Sequence, residues 1–294
     1  MTVLRLGTRA SVLALVQANL VRDSLLATSP SIAVELVEIT SSPGDIDKTS
    51  ALTEGRGWFT STIQEALLAG EIDIAVHSYK DLPTAEVPGL TVAAVPMRAD
   101  PRDVIITRGG TLAELSPQAT VGTSSPRREA QIRHLRPDLE IKPIRGNVET
   151  RISKVDKGEY DATVLALAGL VRLGISQRAN QVLTVEEMLP APAQGALAVE
   201  CRADDATAIE TLGPLNHTPT RNAVAVERAF LAKLEAGCSF PAAALATEDG
   251  QGITLTALVA DTSGIKRESV QGDAGDGVLL GTRVAESLLG WLNR

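Results

Sequence analysis

Apolar and polar positions change their period several times along the chain, and each change marks an element. Residues 3–6 form a short apolar run. Over 11–26, Leu13, Val16, Leu20 and Leu25 recur near one helical face, with Ser11 placed as a possible N-cap. Residues 32–39 alternate as a strand. The stretch 41–57 is polar and Gly-rich, long enough for a functional loop. A helix over 60–69, a buried strand over 72–76 running into HSYKDLP, and a strand over 90–95 follow. The middle repeats the theme, with strands at 104–107, 120–122, 140–144 and 163–166 and helices at 126–135 and 148–157. A strand at 196–200 comes after the Pro-rich LPAPAQG. The last third changes character: a helix over 220–234, strands at 242–246, 253–260 and 265–270, and a closing helix over 278–292.

Strands alternating with helices predict α/β domains with mostly parallel sheets, and the tail predicts a small α+β domain with an antiparallel sheet. A length of 294 residues fits two or three domains.

Composition narrows the function classes. Two cysteines exclude a disulfide scaffold and make a reducing cytosol the natural compartment. No run of 18 apolar residues predicts a membrane span. Arg5 and Arg9 interrupt the opening MTVLRLGTRASVLAL, which therefore does not read as a secretory leader. A net charge of −8 and 2% aromatic residues argue against nucleic-acid and anionic-membrane partners. The cysteines and histidines lack metal-ligand spacing, so no metal is expected. Charge is nonetheless uneven: residues 101–178 hold 13 Lys/Arg and 9 Asp/Glu, a net of +4, so the rest carries −8 − 4 = −12. A middle rich in Arg, whose forked donors match carboxylates, points to a small polyanion; solvated helix faces would read the same way.

Ligands of parallel α/β sheets sit at the carboxyl ends of strands, where helix N-termini attract anions. Four motifs fall there: GTRAS, HSYKDLP, GTSSPRR and IRGN. They bring Arg9, Ser11, Ser124, Ser125, Arg127, Arg128 and Arg145 toward negative charge, although a Ser before a helix also reads as a plain cap. Asp81, after Lys80 and a buried strand, offers a carboxylate for a cationic intermediate, or a cap or ion pair. Cys238, in the permissive loop LEAGCSF, reads as an exposed nucleophile or anchor, or as a small buried hydrophobe; Cys201 reads as the latter. His77 leaves a Cys/His pair open, but no G-x-S-x-G elbow is present.

These motifs, with DPRD, IRGNVETR, AGLVRLG, LPAPAQGALAVECR, LNH and VERAFLAKLEAGCS, run in order nearly end to end. In this the chain resembles the porphobilinogen deaminases, also called hydroxymethylbilane synthases. The resemblance implies two doubly wound α/β domains like those of type II periplasmic binding proteins, plus the α+β tail. It places domain 1 at 1–96 and 196–213, domain 2 at 101–190 and domain 3 at 217–294. It implies a cytoplasmic transferase of tetrapyrrole (haem) biosynthesis, with a monomer as the default, joining four porphobilinogen molecules head to tail with loss of ammonia. A dipyrromethane cofactor, held by a thioether to Cys238, primes the chain and stays behind. Asp81 takes the catalytic position and stabilises the azafulvenium cation. Arg9, Ser11, Ser78, Lys80, Ser125, Arg127, Arg128, Arg145, Arg151 and Arg172 fall on the acetate and propionate carboxylates. Departures from the family pattern are Val12 where Pro is frequent, EGRGWF in the loop with Leu52 and Arg56 at lysine positions, and FTSTIQ after it; any role of Lys48 is open. The rival class is a non-catalytic bilobed protein binding a small carboxylate, for which Asp81 and Cys238 would have no use; a cysteine hydrolase is more remote.

Overall fold

The computed structural model describes residues 2–39, 58–235, 241–250 and 252–292. By contact they divide into two units, 1–98 with 196–221 and 99–195 with 222–294.

In the first unit, β1 (Thr2–Arg9), β2 (Ile32–Ile39), β3 (Ile74–Ser78), β4 (Leu90–Ala94) and β10 (Leu197–Arg202) form a sheet in the order β2-β1-β3-β10-β4. β2 and β3 run parallel to β1, and β10 runs antiparallel to both its neighbours. The helices α1 (Val12–Thr28), α2 (Trp58–Leu68) and α6 (Ala206–Leu212) are its own. Leu6, Val76 and Val199 join Leu25 of α1 and Leu212 of α6 in one core. Ala75 and Ile72 join Ile63 and Leu67 of α2 in another. The sheet is thus buried on both faces, which is why its inner strands β1 and β3 read as apolar runs, while the edge strand β2 alternates.

The second unit repeats the plan. β5 (Asp103–Thr107), β6 (Thr120–Gly122), β7 (Glu140–Lys142), β8 (Ala162–Ala166) and β9 (Gln181–Val182) lie in the order β7-β6-β8-β5-β9. Again the strand in fourth place, here β5, is antiparallel to both neighbours. Ile105 packs with Ile132 of α3 (Pro126–Leu135) on one face. Val104 and Ile106 pack with Ile152 of α4 (Val148–Asp156) and Leu170 of α5 (Leu167–Arg172) on the other.

The C-terminal sheet, β11 (Ala242–Asp249), β12 (Gly252–Asp261) and β13 (Gly264–Gly272), is an antiparallel meander. One face carries a core with α7 (Thr218–Glu235) and α8 (Gly277–Leu292), centred on Phe230, Leu255 and Leu288. On the other, Ala243 and Leu258 pack on Leu189 of the middle segment. The fully buried Glu227 of α7 accepts the N–H of Ala193 at 2.6 Å and that of Ala246 at 2.8 Å.

Ala99 N–H donates to Gly195 O at 3.2 Å, so the outgoing and returning segments lie side by side. Gly195 has φ +88°, and a Cβ there would run into the Ala99 carbonyl oxygen; glycine is required on both counts.

Candidate functional site

Two clusters of expected residues lie at the carboxyl edges of the two sheets, one on each unit. On the first unit, β1 and β3 are parallel neighbours with Gly7 opposite Ala75, so Arg9 and the Ser78–Asp81 stretch leave the sheet at the same edge. Lys80 and Asp81 sit in a single 3-10 turn, Tyr79–Asp81, beyond the strand end. Asp81 is exposed there, because the turn carries it past the last sheet-covered residue. Ser11 is the N-cap of α1, accepting from Ala14 N–H at 3.3 Å, so the capping reading holds for it. The Ser78 hydroxyl bonds the buried Gln17 amide of α1 at 2.8 Å.

Behind the strand end lies a buried polar group that sequence reasoning missed. His77 Nε2 is 3.1 Å from Glu200 Oε2, and Gln64 Nε2 donates to both Glu200 oxygens at 3.0 and 3.2 Å. The neighbouring Cys201 is buried in the core with Leu25 and Val199, and burial pushes its thiol up to about 11. No hydrolase-like His77–Cys201 pair forms. Cys238, in the segment between α7 and β11, lies outside the described residues, as does the whole of 41–57 with Lys48, Leu52 and Arg56.

On the second unit, the turn after β6 leads into α3. Ser125 caps it, accepting from Arg128 N–H at 3.5 Å, and Pro126 takes the first turn. Ser124 Oγ donates to Ile144 O at 2.9 Å and accepts from Ile144 N–H at 3.1 Å, which ties GTSSPRR to IRGN. Asn147 caps α4, and Arg151 on that helix donates from Nε to Gly146 O at 2.8 Å. Arg172, at the end of α5, donates to Gly195 O at 2.7 Å. Arg145 is exposed in the loop between β7 and α4.

Arg127 and Arg128 depart from expectation. Both are buried, and both pair with the fully buried Asp103 at the head of β5, each at 2.7 Å. Arg127 also donates to Leu189 O and Arg128 to Val164 O, each at 2.8 Å. Burial alone would raise the Asp103 carboxyl; the two guanidinium groups instead hold it well below the usual carboxylate range. Gln194 joins the same oxygen as Arg128, donating to Asp103 Oδ1 at 3.0 Å. The signal for Asp103 was available: a lone acid heading the apolar strand DVIIT demands a buried cation.

Asp103 is shared by two arginines, and Arg128 Nε is buried with no hydrogen-bond partner among the described residues. Arg151 and Arg172 bond backbone carbonyls, and neither has a carboxylate partner among the described residues. Burial pushes the Arg172 guanidinium down to about 10; burial, with the nearby charge of Arg128, pushes Arg151 down too. Both remain cationic at neutral pH, and their charge is poorly solvated.

The structure separates two arginines that the sequence treated alike. Arg145→Leu should change stability by no more than about 0.5 kcal/mol, since it is a surface substitution. It should weaken capture of substrate carboxylates by about 10–100-fold, the value of one charge-assisted bond. Arg127→Leu removes half the compensation of a buried carboxylate and should cost on the order of 3 kcal/mol in folding stability. Denaturant melts alongside substrate titrations of both variants check the contrast.

Comparison with known proteins adds independent findings. Residues 4–210 match the family model described as porphobilinogen deaminase, dipyromethane cofactor binding domain, and 222–290 match the porphobilinogen deaminase C-terminal domain. The porphobilinogen deaminase of Mycobacterium tuberculosis (strain ATCC 25618 / H37Rv) is 50% identical over 297 residues, covering 97% of this chain and 95% of the relative. That of Nocardia farcinica is 48% identical over 300 residues, covering 98% and 86%. Among solved structures, the methionine-binding protein MetQ is similar with a TM-score of 0.46 at 11% identity, over 72% of this chain and 89% of that one.

Proposed function

This chain belongs to the porphobilinogen deaminase family, and from that premise we propose how its own residues carry out the reaction. It is a transferase that condenses four porphobilinogen molecules head to tail to hydroxymethylbilane, releasing ammonia at each step. The observation that carries the reading is Arg128, buried with a partnerless Nε and close enough to Arg151 to act on its charge.

When bound, the dipyrromethane supplies the carbon nucleophile that starts the chain. Arg128, Arg151 and Arg172, with Arg145 at the rim, hold acetate and propionate groups and fix the register of the growing chain. Arg127 acts mainly from below, by sharing Asp103 with Arg128. On the first unit, Arg9 and Lys80 supply positive charge beside Asp81, while Ser11 and Ser78 fix the helix start and strand end that carry them. Asp81 accepts the pyrrole N–H of the incoming substrate. The aminomethyl group reacts in its protonated form: as its C–N bond breaks, the bonding pair leaves with nitrogen as ammonia, positive charge spreads over the ring, and the carboxylate stabilises that charge. Cys238 holds the cofactor through a thioether.

The middle and tail sheets each have a core of their own, which supports reading them as two domains within the second unit. Among the described residues, no helix is long and apolar enough to cross a membrane. A cytoplasmic monomer completes the reading. A denaturing mass spectrum of the purified protein tests it: an adduct of two pyrrole units, mapped by digestion to the Cys238 peptide, is expected. A chain that stays bare after incubation with porphobilinogen would leave the non-catalytic carboxylate binder in its place.

A further inference from the structure

Arg127 and Arg128 are consecutive residues in the first turn of α3. Neighbouring helical side chains diverge by roughly 100° around the axis. Two cations there also face the positive end of the helix dipole. Yet both guanidinium groups turn to the same carboxylate, one to each oxygen of Asp103, Arg127 Nη1 to Oδ2 and Arg128 Nη2 to Oδ1. The carboxylate is itself fixed: it heads β5, and Gln194 Nε2 bridges it to Pro101 O, at 3.0 and 2.6 Å. Arg128 Nη1 is tied to Val164 O on β8. Each terminal nitrogen of Arg128 thus commits one of its two N–H donors to the protein, and Nε is buried without an acceptor among the described residues. The partners on Nη1 and Nη2 fix the plane of the guanidinium and so the direction of its remaining donors.

We infer that Asp103 is a positioning residue of the reaction, which acts through Arg128 by aiming the remaining donors of that guanidinium at an incoming carboxylate. The inference rests on the proposed function, because the carboxylate is taken to be one carried by the pyrroles. It differs from a purely structural role in a measurable way. An ion pair that only holds the fold together affects melting; a residue that aims a donor affects how pyrroles are captured by molecules that are folded.

The experiment compares the purified parent with Asp103→Asn, which keeps the shape and removes the charge, and Asp103→Glu, which keeps the charge. Three quantities are read on folded, monodisperse protein: bound pyrrole units per chain by denaturing mass spectrometry, melting temperature, and KM against kcat per loaded molecule. The Asn variant is expected to carry the cofactor on fewer than a tenth of its chains. Its loaded fraction is expected to show KM raised more than tenfold with kcat changed less than threefold, since Asp81 is untouched. The Glu variant is expected to recover at least part of the loading. Loading and KM within twofold of the parent in the Asn variant, whatever its melting temperature, would overturn the inference. So would failure of both variants to fold, which would assign Asp103 to the fold alone. A parent that is itself bare and inactive would overturn the functional reading instead, a result distinct from a loaded parent with an equally loaded Asn variant.

Discussion

Asp81→Asn is expected to cut turnover by about 10²–10³-fold while leaving the fold and the capture of substrate carboxylates intact. The exposed position of Asp81, in a single turn after β3, makes folding tolerant of the change. An amide preserves the size of the side chain and can still accept one hydrogen bond through its oxygen. It cannot place negative charge where positive charge develops on the ring as the amine departs. The arginines of the second unit are untouched, so substrate still binds and intermediates should stall on the protein. Asp81→Glu should retain more activity, because the charge survives with a shifted position. Single-turnover rates, with bound pyrroles counted by mass, check both variants. Near-normal turnover in the Asn variant would reduce Asp81 to an ion-pair or capping role.

Replacing the anchor should have an effect as large. Cys238→Ser is expected to yield folded protein without the covalent dipyrromethane and with little activity. A serine hydroxyl is a far weaker nucleophile than a thiolate at neutral pH. Cys201 provides the internal control. Its side chain is in the core of the first unit, and burial pushes its thiol up to about 11, so it is almost wholly protonated and shielded at neutral pH. Cys201→Ala should load normally. A fully loaded, active Cys238→Ser protein would remove the anchor from this residue.

Much of the architecture was legible because apolar period and capping chemistry agree locally. The helix expected over 126–135 is present as Pro126–Leu135, with Ser125 as its cap and Pro126 in the first turn. The strand expected over 104–107 starts one residue earlier, at Asp103, and that residue is the one the motif reading passed over. The two-residue β9 and the short α6 carry too few positions to show a period. The serines show a different limit. Ser11 and Ser125 read equally as caps or anion ligands, and the structure gives both the capping bond. The pairing of Arg127 and Arg128 with Asp103 joins residues 24 and 25 apart, and the Gln64–Glu200 bond spans 136. Such contacts depend on strand order and on which face a side chain takes, and neither is written in local sequence.

The position of β10 has a consequence for how the chain is made. This strand separates β3 from β4 in the first sheet, and it is encoded after the whole middle segment. A nascent chain that has emerged only as far as residue 98 therefore lacks the strand that both β3 and β4 pair with, and each presents an open apolar edge. The middle sheet has no such wait, since β5 through β9 are contiguous in sequence and can close among themselves. At about 5–20 residues per second, synthesis takes on the order of 5–20 s to deliver β10 after β4. During that interval β3 and β4 lack the strand they share, whereas the middle sheet, β5 through β9, can already be closed.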